Sequence, residues 1–241
     1  MQWRRTAPII VIVVPSLIAA ILSFGLVIFP SNNNNILTSA EERGGWQLLF
    51  NGRNLNGWYG EPKLWKVLDG TIVGSSGRHL RQNSFLITRQ KFSDFVLRLE
   101  IKLDNRNSGV QFRSKALPKY AVRGYQADAT QGKAWGNLHG ENTGRRIIVD
   151  GWTNKGEKIV RPGKWNHYEI YCKGSHIKIK LNGLVTVDTQ DAMFEQGVIA
   201  FQLHRGQPMN VAFRNIKIKP LDIKKVVQSR NANTRESQSN N

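Results

Sequence analysis

Phe95-Val96-Leu97-Arg98-Leu99-Glu100-Ile101-Lys102-Leu103 sets a large apolar side chain at every second position, with Val96, Arg98, Glu100 and Lys102 between. Successive side chains of a strand point to opposite faces, so this period of two predicts a long strand buried on one side. The rhythm returns where Ile177, Ile179 and Leu181 alternate with His176, Lys178 and Lys180. Asn182-Gly183 then turns the chain into 184–188, a hairpin signature, because both residue types accept the positive φ of a two-residue turn. After Val211 and Phe213 the apolar phase slips by one at Arg214-Asn215 before Ile216 and Ile218 resume it, which predicts a β-bulge. No window of the domain holds a helical period. Short strands parted by Gly and Asn turns therefore predict an all-β fold, a two-sheet antiparallel jelly-roll sandwich. Trp46, Trp58, Trp65 and Trp165 are expected in its core or at its edges.

Around this domain, read as 45–221, the chain changes character. Arg4 and Arg5 precede an uncharged stretch at 7–29 rich in Ile, Val and Leu, which at 1.5 Å per residue is long enough to cross a bilayer core of ~30 Å. Residues 1–30 are thus expected to act as a membrane anchor, or as a signal segment cut near Thr38-Ser39-Ala40. No basic residue follows until Arg43, so the positive-inside rule puts the domain on the extracytoplasmic side, anchored or secreted. Residues 31–44, with the run 32–35 of asparagines, read as a flexible linker, and 222–241 as a disordered polar tail.

The chain of 241 residues carries 35 Lys and Arg against 17 Asp and Glu, a net charge of +18, so anionic partners need weighing. The basic residues are spread thinly and no RNP-type or helix-turn-helix signature accompanies them, which argues against nucleic acid. Cys172 is the sole cysteine and excludes both an internal disulfide and a cysteine-based zinc site. It alternates in phase with Tyr168 and Ile170, as a buried, inert thiol would. The five histidines form no His-x-His or HExxH pattern, so no metal site is expected. Nothing calls for a cofactor, and a structural cation is left open.

Alternation also shows which side chains leave the core. Val110 and Phe112 oppose Gln111 and Arg113; Tyr125 and Ala127 oppose Gln126 and Asp128; Ile199, Phe201 and Leu203 oppose Gln202 and His204. If these strands adjoin, the amides, guanidinium, carboxylate and imidazole line one polar face able to hydrogen-bond a sugar. An ordinary wet sheet face is the other reading. The Gly-rich stretch at 131–146 carries Trp135, His139, Glu141, Arg145 and Arg146 and reads as a long loop over that face.

The same segments carry a resemblance. Leu49-Phe50-Asn51-Gly52 with Leu55, Gly57 and Trp58, the stretch 92–100, Asn107-Ser108-Gly109-Val110-Gln111-Phe112-Arg113, Gly124-Tyr125-Gln126-Ala127-Asp128, Trp165-Asn166, Leu181-Asn182-Gly183, Gln202-Leu203-His204 and Phe213-Arg214-Asn215-Ile216 stand in the order of one family. The sequence resembles the 3-keto-disaccharide hydrolase (DUF1080-like) domain family. The likeness implies a concanavalin A-like jelly roll and, from members with known activity, hydrolysis of glycosides whose sugar bears a ketone at carbon 3.

That ketone acidifies the proton on carbon 2, so a base can remove it and expel the group on carbon 1 before water adds. The resemblance thus points to His204 or Asp128 as base, Arg113 at the enolate oxygen and Glu141 as acid. Gln111, Gln126, Gln202, Trp135 and Arg145 would bind the sugar. The second class of function is a non-catalytic carbohydrate-binding module of the cell envelope.

Overall fold

A computed structural model describes residues 34–221, so the stretch at 7–29 and the tail at 222–241 lie outside the described residues. Among those described, no helix is long and apolar enough to cross a membrane. The chain runs through β1 (Gln47–Leu48), β2 (Trp58–Tyr59), β3 (Trp65–Leu68), β4 (Thr71–Ser75), β5 (Ser84–Thr88), β6 (Phe95–Leu103), β7 (Asn107–Leu117), β8 (Ala121–Thr130), β9 (Leu138–Glu141), β10 (Ile147–Val149), β11 (Asn166–Lys173), β12 (His176–Leu181), β13 (Leu184–Gln190), β14 (Val198–Leu203) and β15 (Asn210–Pro220). These form two antiparallel sheets. The back sheet is ordered β13-β12-β11-β6-β15-β4-β3, with β1 beside β15; the front sheet is ordered β10-β9-β8-β7-β14-β5-β2. The result is an all-β, jelly-roll-like sandwich.

In β6 the residues Phe95, Leu97, Leu99, Ile101 and Leu103 are buried while those between are partly covered, so the alternation in sequence is the alternation in the fold. The inner faces meet through Phe201 of β14, which stacks on Phe213 of β15 at 4.0 Å and on Trp58 at 4.9 Å. The hairpin of β12 and β13 turns at Asn182 (φ 48°) and Gly183 (φ 91°), the paired positive φ of a type I′ turn. Cys172 is fully buried in β11, and burial pushes its thiol up to about 12.

The register of β15 on β6 shifts between Arg214 and Lys217, with Asn215 at φ 53°. This bulge captures the preceding segment. Asn35 N donates to Asn215 Oδ1 at 2.7 Å, Asn215 N donates to Asn35 Oδ1 at 3.0 Å, and Asn35 Nδ2 donates to Gly70 O at 2.7 Å. A short helix α1 (Ser39–Arg43) follows behind a Thr38/Glu41 capping box, and Lys217 Nζ reaches Glu41 at 2.9 Å. Residues 34–44, read from the sequence as the end of a spacer, are therefore fastened to the back sheet. Amides and a capping box hold them, not a periodic apolar face.

On the front sheet the register of β7 on β8 shifts between Phe112 and Lys115, where Arg113 adopts φ 48°. Past the shift the hairpin tip bonds onto β5, Tyr120 O accepting from Phe85 N at 3.0 Å. A second apolar cluster of Phe85, Ile87, Val122, Val198 and Ala200 is buried there. Its members take the opposite phase to Leu86, Ile199 and Phe201 of the main core, so it lies on the outer face of the front sheet.

Candidate active site

That outer face continues from the apolar cluster into a polar cleft of about 720 Å³. Gln126 and Asp128 of β8, His139 and Glu141 of β9, Gln202 of β14 and His204 just beyond it all line the cleft. Pairing sets their neighbourhood: Gln126 stands opposite both Gln111 of β7 and His139 of β9, while Asp128 stands opposite Gly109. Side chains at opposed positions share a face, so three strands converge on one carboxylate.

Asp128 is 7 % exposed. A chain of side-chain bonds reaches it from below. Ser114 Oγ donates to Gln111 Oε1 at 2.7 Å, Gln111 Nε2 to Gln126 Oε1 at 2.6 Å, and Gln126 Nε2 to Asp128 Oδ1 at 2.6 Å. With a carboxylate at one end and a hydroxyl donor at the other, each amide is locked in one orientation. Asp128 Oδ2 lies 3.9 Å from His139 Nδ1, and His139 Nε2 lies 4.0 Å from Glu141 Oε2. Burial raises the Asp128 carboxyl to about 7, against the Gln126 bond and with help from the charge of Glu141. Burial lowers the His139 imidazole, and the nearby Arg146 lowers it further, while Glu141 opposes both. Glu141 Oε1 accepts from Asn83 Nδ2 at 2.8 Å. His204 Nδ1 lies 2.7 Å from Arg205 O; a carbonyl only accepts, so Nδ1 carries a hydrogen and the ring is oriented by that bond.

A carboxyl titrating near neutrality, a second carboxylate and two imidazoles in one cleft can move protons to and from a bound polyol. The sequence profile of the 3-keto-alpha-glucoside-1,2-lyase-like domain matches residues 45–219. The chain belongs to this family.

Solved structures with this architecture include a candidate glycosyl hydrolase from Parabacteroides distasonis ATCC 8503, 25% identical with a TM-score of 0.61, covering 78% of this chain and 100% of that one. A carbohydrate-binding module from Bacillus subtilis (19% identity, TM-score 0.53, 67% and 94% covered) shares the fold. So does a β-glucanase from Bacillus licheniformis (12%, 0.50, 73% and 97%). Comparison with curated proteins returns no match.

Within this 3-keto-alpha-glucoside-1,2-lyase-like domain the predicted site residues divide into four groups. Asp128, Glu141, Gln126, Gln202 and His204 come together in the cleft. Gln111 lies beneath it and acts through Gln126; Gln126 itself, bound at both ends of its amide, orients Asp128. Gln202 keeps Nε2 free of protein partners among the described residues, so it is the amide available to a sugar hydroxyl. Arg145 lines the rim, but its guanidinium pairs with Asp191 at 2.6 Å.

Arg113 and Trp135 do not belong to the cleft. The bulge at Arg113 breaks the alternation that had placed it on the polar face. Its side chain is fully buried, with Nε donating to Ser93 O at 2.7 Å, Nη1 to Gly174 O at 2.6 Å and Nη2 to Asp94 Oδ1 at 2.8 Å. Trp135, at 3 % exposure, packs in the core with its ring 6.2 Å from that of Tyr168.

His139, Arg146, Arg205, Asn83 and Asn107 line the cleft without having been singled out as site residues. The stretch 131–146 was read as a loop, yet it contains β9, whose pairing with β8 carries His139 onto the face of Gln126. The available signal was the i, i+2 spacing of His139 and Glu141 across Gly140. Among the described residues no group of three or more His, Cys, Asp or Glu side chains is placed to hold a metal ion.

Proposed function

We propose that this cleft cleaves glycosides bearing a ketone at carbon 3 of the sugar, by proton abstraction, elimination and addition of water. Asp128 takes the proton from carbon 2, electrons move into the carbon 1–carbon 2 bond, and the carbon 1–oxygen bond breaks. Glu141 supplies the proton to the leaving oxygen, and the proton taken by Asp128 passes back to Glu141 through His139, which lies between the two carboxyls, so both return to their starting states. Water then adds its oxygen to carbon 1 and a proton to carbon 2. Arg205, a cation lining the cleft, takes in place of Arg113 the role of meeting the enolate charge, and Gln202 and His204 hold sugar hydroxyls.

The observation that carries this reading is Asp128, a buried carboxyl raised to about 7 on the floor of an open polar cleft. A base with that pKa is half ionised at neutral pH and still strong enough for a proton next to a ketone. Membership of a family described by 3-keto-glucoside lysis supports the same chemistry. An oxocarbenium route would instead ask for two carboxylates flanking the scissile bond. We further place the reaction outside the cytoplasm, with 7–29 as anchor or export signal.

The test is a panel of 3-keto and unoxidised disaccharides offered to the purified protein. Consumption of the 3-keto members alone supports the reading; sugar bound without product places the domain among carbohydrate-binding modules.

A further inference from the structure

The cleft does not end at Asp128. A side pocket of about 500 Å³ shares Asn107, Asp128, His139 and Arg146 with it, so the Asp128 carboxyl lies on a wall common to two compartments. Breaking a bond beside a fixed base needs the sugar ring on one side and the leaving group on the other. The main cleft, lined by amides and imidazoles, suits the sugar. The side pocket has a different chemistry: beyond the shared wall it is bounded by Ala134 and by Ile147, which is 60% exposed, with the exposed cations Lys133 and Arg146 at its edge.

Those cations differ from the ones on the back sheet. There Arg98 and Lys180 pair with Glu169, Arg214 with Glu100 and Lys217 with Glu41. Among the described residues neither Lys133 nor Arg146 has a carboxylate within ion-pair distance. On the common wall, Asn107 contributes a side chain whose Oδ1 is buried without a donor among the described residues.

Resting on the proposed cleavage, we infer that the side pocket is the leaving-group subsite and that it selects a ring carrying an anionic substituent. The ring packs its apolar face on Ala134 and Ile147, and a carboxylate or sulfate meets Lys133 and Arg146. Uronic acids and phenolic carboxylates share this chemistry. The sugar-side specificity is separate.

Two arms decide it. In the first, kcat/KM is compared for the 3-keto-glucosides of 4-hydroxybenzoate and of its methyl ester, and for 3-keto-glucosyl glucuronate against 3-keto-glucosyl glucose. The acid is preferred by roughly 5–10-fold at low salt, and the ratio falls toward one with added salt and in K133Q/R146Q. The first pair alone responding assigns a phenolic source, the second alone a uronic one. In the second arm, calorimetry measures binding of free 4-hydroxybenzoate, its methyl ester, glucuronate and glucose to the full chain. If turnover is absent throughout yet an acid still binds more tightly than its neutral counterpart, and K133Q/R146Q removes the difference, the cleavage reading fails and the anionic subsite stands. Equal handling of acid and neutral forms in both arms, or a preference indifferent to K133Q/R146Q, overturns the inference.

Discussion

Gln126 donates its amide to Asp128 at 2.6 Å across a gap that Gly109 leaves open. A Cβ at Gly109 would stand 2.5 Å from Gln126 Cδ. The clash takes in Gln126 Cγ as well as its buried, doubly bonded amide, so Gly109→Ala should displace the amide at some cost in stability. We expect turnover of the folded protein to fall about tenfold or more, with a loss of about 1–3 kcal/mol in stability from the displaced buried amide. Wild-type rates in Gly109→Ala would show that the amide does not position the base.

The raised Asp128 carboxyl also ties stability to pH. In the unfolded chain this group titrates near 3.8; in the native state it titrates at about 7, so the folded protein holds the extra proton between those values. The contribution of Asp128 to stability is therefore complete below 3.8 and is lost as pH rises through 7. Asp128→Asn cannot ionise and should gain on the wild type by up to a few kcal/mol as pH goes from 4 to 8. Denaturation of the two proteins across that range checks it; a constant difference would mean the carboxyl is not raised.

Arg113 should behave as a structural residue. Arg113→Lys retains the charge but cannot make all three bonds to Ser93, Asp94 and Gly174 at once. A loss of about 1–3 kcal/mol is expected in urea denaturation, with kcat largely retained in the folded fraction. Stability unchanged with turnover abolished would return Arg113 to the chemistry.

The contrast between Arg113 and Asp128 shows what the sequence could reveal. Where strands are regular, period-two alternation assigns faces correctly, and β6, the hairpin of β12 and β13 and the bulge of β15 were all legible in that way. Gln126 and Asp128 lie beyond the shift at Arg123 and Tyr125, in the stretch of β8 that pairs regularly with β7, and were read onto the right face. Arg113 falls on a bulge that only tertiary bonds hold at φ 48°, so local pattern carried no warning. Trp135 was drawn to the site by residue type, whereas its ring is consumed in the core. His139 was placed in the stretch over the face but given no role, because Gly-rich sequence reads as loop even where a neighbouring strand pairs with it.

The clasp between Asn35 and Asn215 should matter for stability rather than turnover. Asn35→Ala leaves Asn215 N and Gly70 O without their side-chain partners, which is expected to cost about 1–3 kcal/mol. Thermal denaturation of the full chain measures it. No shift would mean that solvent replaces the clasp without loss.

Deuterium at carbon 2 tests the central claim most directly. When a 3-keto disaccharide is cleaved in D2O through removal of the carbon 2 proton, elimination and rehydration, the released 3-keto sugar takes up solvent deuterium at carbon 2. Mass spectrometry of the product, corrected for exchange in enzyme-free controls, should show that label with the wild type. Asp128→Asn should lose roughly 10²–10⁴-fold in its rate of formation. Product that forms at the wild-type rate with its original hydrogen still on carbon 2 would contradict the account.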